Sequence, residues 1–236
     1  IVLEIKEPQD FWANISQNSV AWSALKQLEP IKETDTDIRF LDSLLKTNEN
    51  TREMLKETPV LISFHKIGES YGNVFAVQIN GKCEAKDITE LSGKAAGTGP
   101  VIKTRRIGGI EIKQVSAANG KRTFEYFISG DIFVGSFNGA LLDSALLQKK
   151  RGKSIKEQSG FASVIATAGK KVEANVYINF SYLPGFFSLL ADKYYITNLQ
   201  KMNGFAGWSA MDLNIKNSII QLNGFCETGD TLKSFL

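Results

Sequence analysis

The sequence predicts an α+β fold, an antiparallel sheet of about seven to nine strands with helices packed largely on one face. Three observations carry that reading. The stretch Ile107–Phe137, IGGIEIKQVSAANGKRTFEYFISGDIFVGSF, alternates apolar and polar residues between Gly-bearing turns, the pattern of three consecutive strands. Two further segments, Val60–Ile79 and Phe205–Phe225, read as strand pairs. The residues ahead of each pair carry apolar side chains at helical spacing.

Face parity sets the expected register of the meander. Ile110 and Ile112 alternate with Glu111 and Lys113, and Phe124, Tyr126 and Ile128 alternate with Thr123, Glu125 and Phe127. A two-residue Asn119-Gly120 turn sets Ile112 across from Phe127. A three-residue loop of Ala118, Asn119 and Gly120 sets Ile112 against Tyr126 and Ile110 against Ile128. Where one face is buried, a one-residue slip moves every apolar side chain to the wrong side, so the three-residue loop is expected, with Gly120 at positive φ. Gly130-Asp131 suits a two-residue turn with Gly first.

In chain order, Ile1–Lys6 is a strand with Ile1, Leu3 and Ile5 on one face, ended by Pro8. Phe11, Trp12 and Ile15 begin a helix. Ala21, Leu25 and Leu28 mark a second, stopped by Pro30. Ile38, Leu41, Leu44 and Leu45 give a third, with Asp35 or Thr36 as its cap. Asn50-Thr51-Arg52-Glu53 has capping-box spacing ahead of Met54 and Leu55. Val60–His65 and Val74–Ile79 pair across Gly68–Gly72. A short helix is expected around Asp87, Ile88 and Leu91, then a Gly-rich loop at Ala95–Pro100 and the strand Val101–Ile107. After the meander, Asn138 caps a helix carrying Leu141, Leu142, Ala145 and Leu146. Arg151–Gly160 is a polar connection, and Phe161–Ala168 is a helical piece ended by Gly169.

The tail repeats the opening plan. Val176, Ile178 and Phe180 form a strand, and Pro184, Phe186 and Phe187 follow as Pro8, Phe11 and Trp12 follow the first. Residues 1–236 thus read as a single domain of two pseudo-repeat halves, 1–170 and 171–236, each ordered strand, helices, hairpin. In the second hairpin a Lys216-Asn217 turn sets Leu213 against Ile220 and Met211 against Leu222. The first hairpin continues into more sheet, whereas only eleven residues run from Cys226 to Leu236. One strand of the second hairpin is therefore expected at a sheet edge. No charge lies between Asn217 and Cys226, so that edge lacks the Lys or Pro that usually blunts such strands. It calls for a cover: more of the native chain, which is the preferred reading, a second copy, or a partner.

Composition narrows the function. Hydrophobic residues at 43% and charged residues at 22% are ordinary globular values, and the net charge is +3. The one basic cluster, Lys149, Lys150, Arg151, Lys153 and Lys156, follows an apolar helix and reads as a solvated helix end rather than a nucleic-acid stripe. No run of 18 apolar residues is present to span a membrane. The chain opens in a strand without Met, which reads as a piece of a longer precursor with any signal or anchor upstream of Ile1. Cys83 and Cys226 each sit near a strand end. A disulfide between them is geometrically possible, but two buried free thiols are expected.

The catalytic signals are thin. The single histidine, His65, lies on a strand, so no second His is at hand for a zinc site and any triad must run through it. Gly152-Lys153-Ser154 is similar to the end of a P-loop, but position 147 is Leu and a helix precedes it. Gly207-Trp208-Ser209-Ala210-Met211 lacks the final Gly of a nucleophile elbow. Asp35 and Asp37 are explained by a helix start without calcium. No residue is assigned a catalytic, cofactor-binding or metal-binding role.

The segments VLEIKEPQDFW, FLDSLL, PVLISFH and GWSAMDLNIKNSIIQLNGFC, in this order, resemble the N-terminal region of large cell-envelope proteins of Bacteroidetes classed as domains of unknown function. The resemblance implies a secreted or membrane-anchored periplasmic protein and no catalytic residue. In that setting Asp42-Ser43-Leu44, Asp143-Ser144-Ala145 and Asp230-Thr231-Leu232 look similar to the Asp-Ser/Thr-apolar sites that receive O-glycans. The first two fall on predicted helices, which leaves Thr231 as the candidate. The expected function is a non-catalytic cell-envelope module that binds a protein or envelope partner or supports assembly, without nucleic acid or cofactor. The alternative is a carboxylate-dependent hydrolase acting on glycans or peptides. Clustered Asp and Glu in a deep pocket would favour the enzyme, and an exposed apolar patch or unpaired sheet edge the binding module.

Overall fold

Strand-period and helix-period segments alternate along the chain in blocks, and each block folds as one layer piece. The computed structural model describes residues 1–18, 20–45, 48–79, 87, 101–116, 123–190, 193–201, 206–216 and 219–228. In order they form β1 (Val2–Ile5), α1 (Pro8–Asn18), α2 (Val20–Leu25), α3 (Glu29–Leu45), α4 (Glu49–Glu57), β2 (Val60–Ile67) and β3 (Ser70–Gln78). Next come β4 (Val101–Ile107), β5 (Ile110–Ser116), β6 (Thr123–Ser129), β7 (Ile132–Ser136), α5 (Gly139–Lys150) and α6 (Ser159–Ile165). The chain closes with β8 (Ala174–Asn179), α7 (Leu183–Phe187), α8 (Lys193–Lys201), β9 (Trp208–Lys216) and β10 (Ile219–Cys226). This is the α+β fold that the sequence predicts.

The strands form a 10-stranded sheet in the order β10-β9-β8-β1-β2-β3-β7-β6-β5-β4, antiparallel at every junction. β1 and β8 pair as the fourth and third strands from the β10 edge, Val2 opposite Tyr177 and Ile5 opposite Ala174. On one side β1 leads through helices to the hairpin β2-β3, and on the other β8 leads through helices to the hairpin β9-β10. The two strand–helix–hairpin units are thus disposed about the β1/β8 pair. Beyond β3 the sheet continues into β7 to β4, whereas β10 is an edge.

Strand alternation splits the core in two. The front face carries Ile5, Ile62, Phe75, Val115, Phe124, Tyr126 and Leu213, packed by Phe11, Trp12 and Ile15 of α1, Ile38 and Leu41 of α3 and Met54 and Leu55 of α4. The back face holds two smaller clusters: Ile112, Phe127 and Val134 under Leu142 and Leu146 of α5, and Tyr177, Trp208 and Ala210 under Phe161 and Val164 of α6. Most of the helical mass is on the front, as expected, but part of the back is covered too.

That second cover overturns the meander register. Lys113 lies opposite Tyr126 and Val115 opposite Phe124, which carries Ile112 to Phe127, the register of a two-residue Asn119-Gly120 turn. Parity favours one register only when one face is wet. Here Ile112 and Phe127 are buried against α5 while Val115, Phe124 and Tyr126 are buried on the front, so neither face is the wrong one. The loop Ala118-Asn119-Gly120 itself lies outside the described residues. Gly130 at φ +65° opens the turn that sets Ser129 opposite Ile132, the expected two-residue turn.

Other local expectations shift in instructive ways. In the second hairpin Leu213 faces Leu222 and Ile215 faces Ile220, with Lys216 opposite Ile219. The slip from the expected register is two residues, which preserves which face each side chain takes and is invisible to a parity argument. Pro30 does not stop a helix; it sits in the first turn of α3, where its fixed φ fits and its missing N–H is no loss. Asp35 and Asp37 therefore lie inside α3, and Asp35 accepts from Trp22 Nε1 at 3.2 Å and Arg39 Nε at 2.8 Å. The cap of α4 is Asn48, whose side chain accepts from Thr51 N, two residues upstream of the expected Asn50. Asn138 caps α5 as predicted, accepting from Leu141 N at 3.1 Å. Cys226 is exposed and free, not buried; as the last residue of an edge strand it has nothing packed over it. Cys83, Thr231 and the Gly93–Pro100 stretch lie outside the described residues.

Candidate binding edge and cavity

The two edges of the sheet are chemically unlike. β4, VIKTRRI, carries Lys103, Arg105 and Arg106, the charged blunting that keeps an edge from pairing. β10, IIQLNGFC, carries no charge, and Ile219 is 66% exposed, Leu222 49% and Phe225 65%. Beyond the strand, Glu227 N–H donates to Trp208 O at 2.8 Å and Glu227 O accepts from Gly207 N at 3.1 Å. The alternation of antiparallel ladders then turns the N–H and C=O groups of Ile220, Leu222 and Gly224 outward. Gly224 is required where it stands, because a Cβ there meets the Ala210 carbonyl at 2.0 Å. The sequence showed the lack of charge; that this strand, and not β9, is the edge came from the strand order.

A cavity of about 110 Å³ lies on the front face between α1, α3, α4 and the sheet. Trp12, Met54, Phe75, Phe124, Tyr126 and Phe133 form much of its wall, and Gln9 and Asp42 add an amide and a carboxylate to its lining. No periodicity in the sequence announces it, since its walls are ordinary core positions.

Acidic side chains cluster elsewhere, on the back face, and each cluster is held by donors. Arg105 Nη2 bonds Glu125 Oε2 at 2.5 Å and Asp143 Oδ1 at 2.6 Å, and Gln114 Nε2 donates to Glu125 Oε1 at 2.8 Å. Asp212 Oδ1 accepts from Asn175 Nδ2 at 2.8 Å and Gly169 N at 2.7 Å, and Glu4 pairs with Lys6 at 2.8 Å. His65 Nε2 meets Ser63 Oγ at 2.9 Å on the exposed sheet face. Partial desolvation by the groups around it first, and then the nearby amino group of Ile1, lower its pKa below the ordinary histidine value. No carboxylate bonds its other nitrogen among the described hydrogen bonds, so the pair lacks the orienting member of a triad. Among the described residues no group of three His, Cys, Asp or Glu is placed to hold a metal ion. No helix among them is long and apolar enough to cross a membrane. Ser43 and Ser144 both lie within helices, α3 and α5.

Tyr177 gives the back face a measurable signature. Its hydroxyl donates to Glu4 Oε2 at 2.8 Å, and burial first, then that carboxylate, push its pKa far above the ordinary tyrosine range. Below about pH 10 both folded and unfolded chains keep this proton and its contribution to stability is intact. Above it the unfolded chain ionises and the folded one does not, so stability falls as pH rises. Tyr177→Phe is expected to cost about 1 kcal/mol at pH 8, with the gap closing as pH climbs beyond 10. Urea titrations at both pH values, read by circular dichroism, check this; a gap unchanged with pH would refute it.

Fold and edge together define a class: an α+β protein whose ten-stranded antiparallel sheet ends on one side in an uncharged, exposed strand. No family model matches the chain, and neither the curated proteins nor the solved structures contain a match.

Proposed function

We propose that this chain is a non-catalytic module of the cell envelope of a Gram-negative bacterium, and that it binds a partner polypeptide by strand addition at β10. One observation carries the binding reading: of the two sheet edges, β4 is studded with cations and β10 is bare. The occupant is an extended, uncharged segment with apolar residues at alternate positions, because outward backbone groups supply its hydrogen bonds and Leu222 and Phe225 flank it with apolar surface. The hydrolase reading lacks its expected support. The cavity lining has Asp42 as its one acid among the described residues, and the paired carboxylates face the other side of the sheet. The envelope placement rests on the resemblance of the packing segments described above.

A photo-crosslinking residue at Phe225, expressed in the native host, tests the binding. Adducts should map to one extended segment of a partner, and Leu222→Lys and Leu222→Pro should each lower the yield at least tenfold. Equal adduct yield from a crosslinker at Ile102 on β4, or insensitivity to both substitutions, counts against strand addition. Recovery of the protein in the cytosolic fraction overturns the envelope assignment. Turnover of a glycan or peptide that is lost in Glu125→Gln or Asp143→Asn overturns the non-catalytic one.

A further inference from the structure

We propose that the front-face cavity is a binding site for a small neutral apolar molecule, of the size of one aromatic ring or a short alkyl chain. Protein interiors are packed as densely as organic crystals, with few voids larger than a water molecule. A space of about 110 Å³ walled by Trp12, Met54, Phe75, Phe124 and Tyr126 departs from that rule at the best-buried part of the front core. An apolar cavity of about 150 Å³ stays dry and takes up benzene, so the volume fits a guest of that order. The walls come from three helices and six strands. Chemistry selects the guest further. The described lining contains no Lys, Arg or His, and apart from the Tyr126 hydroxyl and the Trp12 indole N–H its polar groups come from Gln9 and Asp42. Gln9 Nε2 is committed to the Arg52 carbonyl at 3.0 Å. A carboxylate or phosphate headgroup finds no cation in that lining to replace its hydration, whereas a neutral apolar guest needs none. This inference stands apart from strand addition, since the cavity lies between helices and sheet and β10 contributes no residue to it.

The experiment is a thermal-unfolding titration of this chain with benzene, cyclohexane and octanoate, with tryptophan emission followed in parallel because Trp12 forms part of the wall. Benzene or cyclohexane should raise the midpoint saturably, by roughly 3–6 °C at ten times Kd, and shift the emission. Octanoate at the same concentration should do neither. Val115→Phe, which pushes a ring into the space, should abolish the response to the neutral guests. Ile38→Phe does the same from the helical wall and serves if Val115→Phe fails to fold. Ile219→Ser, at the sheet edge, should leave the response intact. The proposal is overturned if neither neutral guest gives a saturable shift, or if both filling variants respond as the wild type does. An octanoate response equal to that of benzene overturns the neutral-guest specificity.

Discussion

Phe127→Ala is expected to cost about 3–5 kcal/mol of folding stability, enough to leave a mesophilic domain of this size marginal. Phe127 is 1% exposed and lies at the centre of the back-face cluster with Ile112, Val134, Leu142 and Leu146. Its removal opens a hole between a strand and a helix, neither of which relaxes freely, because β6 is bonded on both sides by β5 and β7 and α5 is anchored at its start by the Asn138 cap. The size of the effect also decides the register. In the pairing expected from alternation, Phe127 shares a face with Glu111 and Lys113 and points to solvent, where truncation changes stability by no more than about 0.5 kcal/mol. Urea unfolding of wild type and variant separates the two outcomes. A loss below about 1 kcal/mol refutes the back-face packing described above.

Arg105→Met should be the most damaging charge removal in the described structure, at about 2 kcal/mol. Arg105 reaches across β5 to Glu125 on β6 and up to Asp143 on α5, so its loss leaves two carboxylates facing each other under a helix. The figure sits between the values for exposed and fully buried pairs, because the arginine and Asp143 keep contact with water. Glu125 retains Gln114 as a donor, which limits the damage. The Asp143 bond first, with the Glu125 bond adding to it, raises the Arg105 guanidinium above its already high ordinary pKa, against burial, which lowers it. Urea unfolding of wild type and variant at pH 7 tests this; a variant as stable as the wild type shows the triad to be solvated decoration.

Some of this protein was legible in its residues. The α+β class, the hairpins at Val60–Ile79 and Phe205–Phe225, the Gly130-Asp131 turn and the Asn138 cap are all local signals, carried by side-chain period, by a glycine at positive φ or by an oxygen three residues from the N–H it accepts. The uncharged run that makes β10 a candidate binding edge was equally plain. The register of β5 against β6 was not, because parity discriminates only after one knows how many faces are covered, and α5 arrives on the back face from after the meander in sequence. The two-residue slip in the last hairpin escaped for a related reason, since it moves no side chain across the sheet. The exposure of Cys226 depended on the strand order, which leaves β10 outermost. The front-face cavity depended on how far three helices approach the sheet. Local geometry is written in neighbouring residues, whereas which faces, edges and gaps exist is settled only when segments distant in the chain pack against one another.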